Sequence, residues 1–314
     1  MKVQKDIILS NLNTSGVGGP AKYFYSAKTP EKMVEAINWA LSKKLPYLIL
    51  GSGSNVLIAD DGFPGLVIKN SIKGIIGFRQ ILKVGSGTLL SQLVSLSVKQ
   101  DLTGVEKLAG IPGTVGGAIY GNAGAYGTAA SDNLTRVICF DPQKKAVVSL
   151  TKKQCKFDYR DSIFKKNNYV ILEAHFKLAK AQPHTVAKEV KNILKTRAGK
   201  NFWEGKNPGS FFKNIPVENM PPESLKLIPK DKIVHGKITA GFLLDSIGAK
   251  GKKVGDVKVS NGHANLIVNT GNAKTADFIE LASSLIKEVK EKFGVTLEPE
   301  VQLINTPPLT LQDQ

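Results

Sequence analysis

The chain has 314 residues, of which 42% are hydrophobic and 22% are charged, and its formal net charge is +17. This length predicts about two domains with cores of their own, and the composition excludes a disordered chain. The positive charge favours anionic partners, which include nucleic acids, acidic lipids and phosphorylated small molecules.

The first strong local signals lie at residues 29–58. Thr29, Pro30 and Glu31 supply an N-cap, a first-turn proline and a first-turn acid, and apolar residues then follow at helical spacing, which predicts a helix. Residues 47–50 and 56–58 are short apolar runs bounded by glycine or turn residues. They predict two strands with a glycine loop between them.

A moderately amphipathic pattern over residues 186–194 predicts another helix. After Arg197 the composition turns polar and rich in turn residues, so we predict a domain boundary near residue 196.

The C-terminal part is predicted to contain a long helix. Thr275 can cap its start, Gly294 is suited to its end, and apolar residues between them recur at helical spacing. Residues 295–297 and 301–304 then have the composition of strands, and the prolines after them indicate a loose tail.

No segment indicates export, a membrane or a metal. Three apolar residues before Ser10 are too few for a signal peptide, and no run approaches the roughly 18 apolar residues of a spanning helix. Cys139 and Cys155 have neither a CxxC pair nor a nearby His, so we expect buried free thiols. We therefore expect a cytoplasmic protein without a metal site.

The loop between the two predicted strands has the composition of an anion-binding nest, for which phosphate is the obvious ligand. It consists of Gly51, Ser52, Gly53, Ser54 and Asn55. A Rossmann loop is excluded, because Val56 stands where the third glycine is required and a strand follows instead of a helix. The P-loop pattern is also absent, and an ordinary tight turn is an equally good interpretation.

A second glycine-rich segment covers residues 109–127. Its small residues let the backbone lie against a planar ligand, and Thr114 and Asn122 can supply hydrogen bonds. A loop packed between sheets is the alternative interpretation.

Six motifs in order carry a resemblance to a known family. They are Asn13-Thr14 with Gly18 to Ala21, Gly51 to Asn55, Ala109 to Gly117, Tyr159 to Ser162, Gly209 to Asn214, and Leu297 to Val301. With them, the chain from Asn13 to Ile304 resembles the UDP-N-acetylenolpyruvoylglucosamine reductases, flavoenzymes that make UDP-N-acetylmuramate for bacterial peptidoglycan. Only 50 residues separate Arg160 from Ser210, so the chain resembles the shorter subclass, which lacks an extra tyrosine loop.

The resemblance implies an α+β fold. A vanillyl-alcohol oxidase (PCMH)-type FAD-binding domain in two subdomains, split near residue 80, would cover residues 1–195. A smaller α/β substrate-binding domain would cover residues 196–305, followed by a tail over residues 306–314.

The implied cofactors are noncovalent FAD, since the Gly51 loop has no His or Cys to attach a flavin, and NADPH as the reductant. The implied FAD-binding residues are Gly51, Ser52, Gly53, Ser54, Asn55, Ile111, Pro112, Gly113, Thr114, Gly116, Gly117, Asn122 and Gly124.

The resemblance also implies three catalytic residues. Hydride delivery to the vinyl carbon of an enolpyruvyl ether places negative charge on the adjacent carbon and its carboxylate. Arg160 is implied to bind that carboxylate, Ser210 to protonate the enolate carbon, and Glu300 to polarise or protonate the enolic system. Without the resemblance, Arg160 is more simply an ion-pair partner of Asp161, and Glu298 competes with Glu300.

Asn214 and His263 match positions near the UDP-sugar and its diphosphate, and Tyr159 matches an aromatic residue near the active site. A lone His such as His263 is more often structural. The implied partners are the UDP-sugar and NADPH, without nucleic acid or membrane insertion, and we expect a monomer.

The chain departs from the family pattern in three places. Arg197 and Lys200 are both candidates for one basic ligand, and Gln302 stands where the family often has Arg. Residues 218–237 have no functional interpretation.

Two other function classes are alternatives. An FAD-dependent oxidase or dehydrogenase of the same fold would act on an alcohol or sugar and consume oxygen without NADPH. A nucleic-acid-binding protein would use the positive charge, but its lysines are scattered rather than arranged in a stripe.

Overall fold

The computed structural model describes residues 1–199 and 204–309. Its α-helices are α1 (Pro30–Ser42), α2 (Leu90–Lys99), α3 (Val115–Tyr120), α4 (Ile163–Lys166), α5 (Thr185–Ala198), α6 (Pro222–Leu225), α7 (Ala240–Ser246) and α8 (Thr275–Phe293). Among these described helices, none is both long enough and apolar enough to cross a membrane.

The strands are β1 (Gln4–Ile8), β2 (Pro20–Ala27), β3 (Tyr47–Leu50), β4 (Val56–Ile58), β5 (Phe63–Asn70), β6 (Ile75–Phe78), β7 (Ile81–Gly85), β8 (Leu102–Thr103), β9 (Gly124–Ala125), β10 (Thr128–Ala129), β11 (Leu134–Asp141), β12 (Ala146–Thr151), β13 (Val170–Lys177), β14 (Ala179–Lys180), β15 (Ile215–Pro216), β16 (Ile233–Val234), β17 (Lys237–Ile238), β18 (Lys253–Val254), β19 (Val257–Val259), β20 (Ile267–Asn269) and β21 (Gln302–Ile304).

The chain divides into two compact units. Unit 1 comprises residues 1–7, 21–52 and 64–197, and unit 2 comprises residues 8–20, 53–63 and 198–314. Unit 2 includes the early segment 53–63 because β4 pairs in parallel with β21. The domain boundary that the sequence predicts near residue 196 stays a prediction, and it does not account for these early segments.

Unit 1 contains two main sheets. One has the strand order β1-β2-β5-β3, and the other has the order β12-β11-β13-β7-β6. The predicted helix at Pro30 is confirmed as α1, where Thr29 Oγ1 accepts the N–H of Lys32 at 3.3 Å. Buried Met33 and Ile37 of α1 pack against the first sheet in one core cluster, as the helical spacing of the apolar residues requires.

A second core cluster in unit 1 packs α2 and α3 against the five-stranded sheet. It contains Cys139 and Cys155, which are both buried and free, so the prediction of buried thiols is confirmed.

Unit 2 is built around α8, whose apolar face is buried in one cluster with α7 and neighbouring strands. Gly294 ends α8 with a φ of 66°, as the sequence predicts. Thr275 is not the cap, because it is the first helical residue. The carboxylate of Asp60 accepts the N–H of Thr275 at 2.9 and 3.0 Å, which satisfies this helix end from another segment.

The prediction of a strand over residues 295–297 is wrong, whereas the strand predicted at 301–304 is confirmed as β21. Val295 and Leu297 are buried in the unit 2 core, so the alternating pattern reflects packing without a strand ladder.

Candidate active site

The two glycine segments meet inside unit 1. Gly51 follows β3, and a Cβ atom at this position would lie 2.7 Å from Oγ1 of Thr114. Thr114 caps α3 by accepting the N–H of Gly117 at 3.2 Å. The first loop therefore begins against the start of α3 in the second segment, and this contact leaves no room for a side chain at position 51.

The middle of the first loop belongs to unit 2. Gly53 has a φ of 71°, and a Cβ atom there would lie 2.5 Å from the carbonyl oxygen of Leu12. The carbonyl of Gly53 accepts the N–H of Thr14 at 3.0 Å. These contacts join the Asn13-Thr14 motif to the glycine loop, and they leave no space for a side chain at position 53.

The end of the first loop is tied to the segment that carries Glu300. Nδ2 of Asn55 donates to the carbonyl oxygen of Glu300 at 3.1 Å, and the N–H of Gln302 donates to the carbonyl oxygen of Asn55 at 3.0 Å. Nε2 of Gln302 also donates to the Glu300 carbonyl, at 3.3 Å. Gln302 thus holds the backbone beside Glu300. Ser54 lies between these anchors and is half-buried, as is Ser52.

The second glycine segment leaves backbone exposed at two of its glycines. Gly117 is exposed on α3, and Gly113 before it has a φ of 126° and is partly exposed. Gly116 faces inward, where its N–H donates to Ser86 O at 2.8 Å. Ile111 is half-buried and Pro112 is exposed. This is a surface on which a flat ligand can approach the backbone.

Asn122 lies at the end of this segment, and its side chain is engaged within unit 1. Its Nδ2 donates to Asp158 O at 2.9 Å, and its Oδ1 accepts the N–H of Ser131 at 3.3 Å. The amide of Asn122 therefore holds the turn that leads into Arg160.

Arg160 lies in that turn with a φ of 52°. Its Nη2 donates to Gly124 O at 2.9 Å, and its Nη1 lies 3.5 Å from Asn122 O. Its guanidinium carbon lies 5.5 Å from the ring centre of Tyr159. The carboxylate of the neighbouring Asp161 pairs with Lys166 at 2.6 Å. Carbonyl contacts from two predicted site residues fix the plane of the Arg160 guanidinium.

Lys165 is a residue of this site that sequence reasoning missed. Its Nζ donates to the carbonyl oxygen of Arg160 at 2.8 Å and lies 5.8 Å from the ring centre of Tyr120. The sequence gives little indication of this contact of Lys165, because a side-chain bond to the backbone of an irregular turn follows no helical or strand periodicity.

Ser210 and Glu300 lie on neighbouring segments of unit 2. Ser210 forms an isolated bridge with Leu266, and the next residue, Phe211, accepts the N–H of Glu300 on its carbonyl oxygen at 2.8 Å. The side chain of Glu298 is 71% exposed and pairs with Lys213 at 2.9 Å. The side chain of Glu298 is engaged with Lys213, which makes Glu300, whose N–H bonds the residue after Ser210, the better candidate for the acid.

Asn214 and His263 both reach the first turn of α7. Oδ1 of Asn214 accepts the N–H of Ala240 at 3.1 Å, and a Cβ atom at Gly241 would lie 3.3 Å from Cε1 of His263. Nδ1 of His263 accepts the N–H of Asn265 at 3.2 Å, so the proton of the neutral ring is on Nε2. The two predicted substrate ligands are brought together.

Of the two basic candidates, Lys200 lies outside the described residues. Arg197 is buried in α5, where a Cβ atom at Gly110 would lie 2.9 Å from its Cδ. Burial lowers the pKa of the Arg197 guanidinium, and a hydrogen bond with Tyr126 opposes this shift. Arg197 therefore packs beneath the second glycine segment.

Residues 218–237 form part of a small sheet of β15, β17 and β16 and place Met220 and Ile228 in the unit 2 core. These residues therefore contribute to the packing of the unit 2 core.

Two family models match the chain. A model of the C-terminal domain of UDP-N-acetylenolpyruvoylglucosamine reductase matches residues 201–304, and a model of an FAD binding domain matches residues 21–148. The α+β fold class with an FAD-binding domain is thereby confirmed.

Proteins named UDP-N-acetylenolpyruvoylglucosamine reductase are similar over nearly the whole length. The one from Solibacter usitatus is 34% identical over 297 residues, which cover 94% of this chain and 95% of the relative. The one from Chlamydia trachomatis serovar A is 36% identical over 304 residues, covering 96% of each. A crystal structure of the enzyme from Thermus caldophilus is 31% identical, has a TM-score of 0.74 and covers 97% of this chain and 99% of that one. The chain belongs to the UDP-N-acetylenolpyruvoylglucosamine reductase family.

Proposed function

We propose that this protein reduces UDP-N-acetylglucosamine enolpyruvate to UDP-N-acetylmuramate for peptidoglycan precursor synthesis, with FAD as the cofactor and NADPH as the reductant. Family membership and the matched FAD binding domain support the reaction and both cofactors. The observation that supports the chemistry is the hydrogen bond from the N–H of Glu300 to Phe211 O, because it joins the backbone of an acidic residue to the residue that follows Ser210.

The glycine segments fit a dinucleotide cofactor. Gly53 stands where a side chain would collide with the Leu12 carbonyl, and Gly117 leaves the face of α3 uncovered. Backbone N–H groups, Ser hydroxyls and the Asn55 amide are donors that suit a diphosphate. We assign FAD binding to the residues of both segments, from Gly51 to Asn55 and from Ile111 to Gly124. When bound and reduced, FAD supplies the hydride.

Arg160 is assigned to the substrate carboxylate. A guanidinium presents donors in a rigid fork that matches the two carboxylate oxygens. The bonds from Nη1 and Nη2 to the carbonyls of Asn122 and Gly124 orient this fork before substrate binds. A preorganised cation stabilises the charge that develops on the carboxylate once the vinyl carbon has received hydride.

Ser210 is assigned to proton donation. The proton moves from Oγ to the enolate carbon, which completes the saturated ether, and Glu300 is the neighbouring acid that polarises the enolic system. Ser210 follows Gly209, whose φ of 85° turns the chain sharply at this point.

The nucleotide end of the substrate is assigned to Asn214 and His263, with Tyr159 beside Arg160. The protonated Nε2 of His263 is a donor that suits a phosphate oxygen. We also propose that the protein acts in the cytoplasm, because its substrates are charged nucleotides, and we keep the expectation that it is a monomer. Light scattering with an oligomeric mass would contradict the monomer.

An anaerobic experiment on Ser210→Ala tests the assignment. NADPH is expected to bleach the flavin of the variant normally, whereas the enolpyruvyl sugar restores the colour roughly 10²-fold or more slowly, since the proton donor is removed. Ser284→Ala, an exposed serine of α8 in the same unit, is the control. Normal reoxidation of Ser210→Ala would remove Ser210 from the mechanism. Oxygen consumption with an alcohol, without NADPH, would instead favour an oxidase.

A further inference from the structure

Asn265 makes an unusual set of contacts for a residue outside all the motifs. It is 4% exposed, and its side-chain amide bonds both backbone groups of Phe212. Oδ1 accepts the N–H of Phe212 at 2.9 Å, and Nδ2 donates to Phe212 O at 2.8 Å. The backbone carbonyl of Asn265 accepts the N–H of Phe211 at 2.9 Å. One residue thus supplies three bonds to the two residues after Ser210.

The segment held by Asn265 has little freedom to move. The side chains of Phe211 and Phe212 are buried in the unit 2 core, with rings 5.0 Å apart. On the side opposite Asn265, the carbonyl of Phe211 accepts the N–H of Glu300, and Phe212 forms a bridge with Pro299. The amide of Asn265 therefore replaces a neighbouring strand, because it bonds both the N–H and the C=O of Phe212.

The amide of Asn265 is itself oriented by its surroundings. Its backbone N–H donates to Nδ1 of His263, and its neighbour Leu266 donates to His263 O at 3.0 Å. The N–H of His263 donates to Oγ of buried Ser260 at 3.2 Å. A single loop therefore carries both a proposed substrate ligand and the group that holds Phe212.

We propose that Asn265 is a positioning residue for Ser210 and, through the same segment, for Glu300. The inference rests on the proposed function, because it assigns Asn265 to the proton-transfer half of that reaction. Without the amide, the buried N–H and C=O of Phe212 lose these bonds, and the backbone rotates to find other partners. Ser210 is two residues away on the same backbone, so its hydroxyl moves with it. The rate of proton transfer depends on the position of the donor, and a displacement of about 1 Å can lower it about 10²-fold.

The test measures two steps separately in Asn265→Leu and Asn265→Asp: reduction of the flavin by NADPH, and reoxidation of the flavin by the enolpyruvyl sugar. Leu removes both side-chain bonds at similar volume, whereas Asp keeps the acceptor for the Phe212 N–H and sets a carboxylate oxygen against the Phe212 carbonyl. We expect flavin reduction by NADPH to stay normal in both variants. Reoxidation by the enolpyruvyl sugar should slow about 10- to 100-fold in the Leu variant and by less in the Asp variant.

Asn269→Leu is the matched control. Asn269 is a buried asparagine of the same unit, 7% exposed, whose amide bonds Ser15 O and the N–H of Gly271. Asn269→Leu should lower the melting temperature about as much as Asn265→Leu does, and it should leave the reoxidation rate of the folded protein unchanged. A role of Asn265 in stability alone predicts that both half-reactions fall together with the folded fraction, and that result would overturn the inference.

Amide hydrogen exchange gives a readout independent of turnover. The Phe212 amide should be protected in the wild-type protein and exchange faster in Asn265→Leu, or in Asn265→Ala if the Leu variant does not fold, because both substitutions remove the acceptor of the Phe212 N–H. Unchanged exchange at Phe212 would contradict the inference.

If wild-type protein is not reoxidised by the enolpyruvyl sugar, the proposed function fails. If wild type is reoxidised and the Asn265 variants match it, the role of Asn265 alone fails.

Discussion

Lys165 donates a hydrogen bond from Nζ to the carbonyl oxygen of Arg160, whose backbone has a φ of 52°. A non-glycine residue in this region is strained by about 1 kcal/mol or more and is held by its surroundings. The bond from Lys165 therefore stabilises the turn that presents the Arg160 guanidinium.

Lys165→Met should raise KM for the enolpyruvyl sugar about tenfold, because the Arg160 turn relaxes and its cation is misplaced. Flavin reduction by NADPH should stay unchanged. Lys166→Met is the control, since Lys166 is exposed and pairs with Asp161, and exposed ion pairs contribute little to stability. Steady-state kinetics measure both variants, and equal KM values in the two would contradict the role of Lys165.

Gly53→Ala and Gly236→Ala form a matched pair, because both glycines have a φ of 71°. No atom of the described residues lies within 4 Å of a Cβ atom at Gly236, so Ala there should cost about 1 kcal/mol of unfolding free energy. At Gly53 the Cβ atom collides with the Leu12 carbonyl, so Ala should cost about 3 kcal/mol or more and reduce the bound FAD. Urea unfolding and the flavin-to-protein absorbance ratio test this. Full FAD content in Gly53→Ala would count against the loop as a cofactor site.

The two neighbouring carboxylates give a third prediction. Glu300→Gln should lower kcat roughly 10²-fold, because an acid at the enolic system is lost. Glu298→Gln should change kcat little, since its carboxylate is largely exposed and pairs with Lys213. Turnover of both variants at saturating substrate distinguishes them, and a larger loss in Glu298→Gln would reverse the assignment.

The two buried thiols give a prediction for pH. Burial raises the pKa of Cys139 to about 12, with smaller contributions from Cys155 and Asp141, and burial raises the pKa of Cys155 to about 11. In the unfolded chain both thiols ionise near pH 9.0. The stability contribution is therefore fully present below this pH and is lost as the pH rises through the folded pKa values.

Melting temperatures should accordingly fall between pH 9 and pH 11 because of these thiols. A thiol reagent at neutral pH should label the native protein slowly, because the thiolate is the reactive form, and should label both thiols in denaturant. Rapid labelling of native protein would show that the thiols are not buried.

Local signals in the sequence predicted the elements that local chemistry determines. The capping threonine and proline before α1, and the glycine that ends α8, act within a few residues of the helix ends they define. The start of α8 was mispredicted because its first N–H groups are satisfied by Asp60, which is 215 residues away along the chain. No local pattern encodes such a partner.

The sequence also indicated part of the proposed site. The motifs located Ser210 and Glu300, but they did not indicate that the two lie on adjacent segments. The bonds from Asn265 to Phe212 could not be predicted, because they span 53 residues and involve backbone groups, which carry no residue-specific signal. Arg160 was proposed from its motif, whereas Lys165 was not, because the partner of Lys165 is also a backbone oxygen.

The contact between Asn55 and Glu300 has a consequence for synthesis on the ribosome. The two residues are 245 positions apart, and the same region pairs β4 with β21. At about 5–20 residues per second, translation separates their emergence by roughly 12–50 s. During that interval the apolar strand β4 has no β21 to pair with. Nascent chains stalled before residue 302 should therefore bind chaperones through this early segment and release them once β21 has emerged.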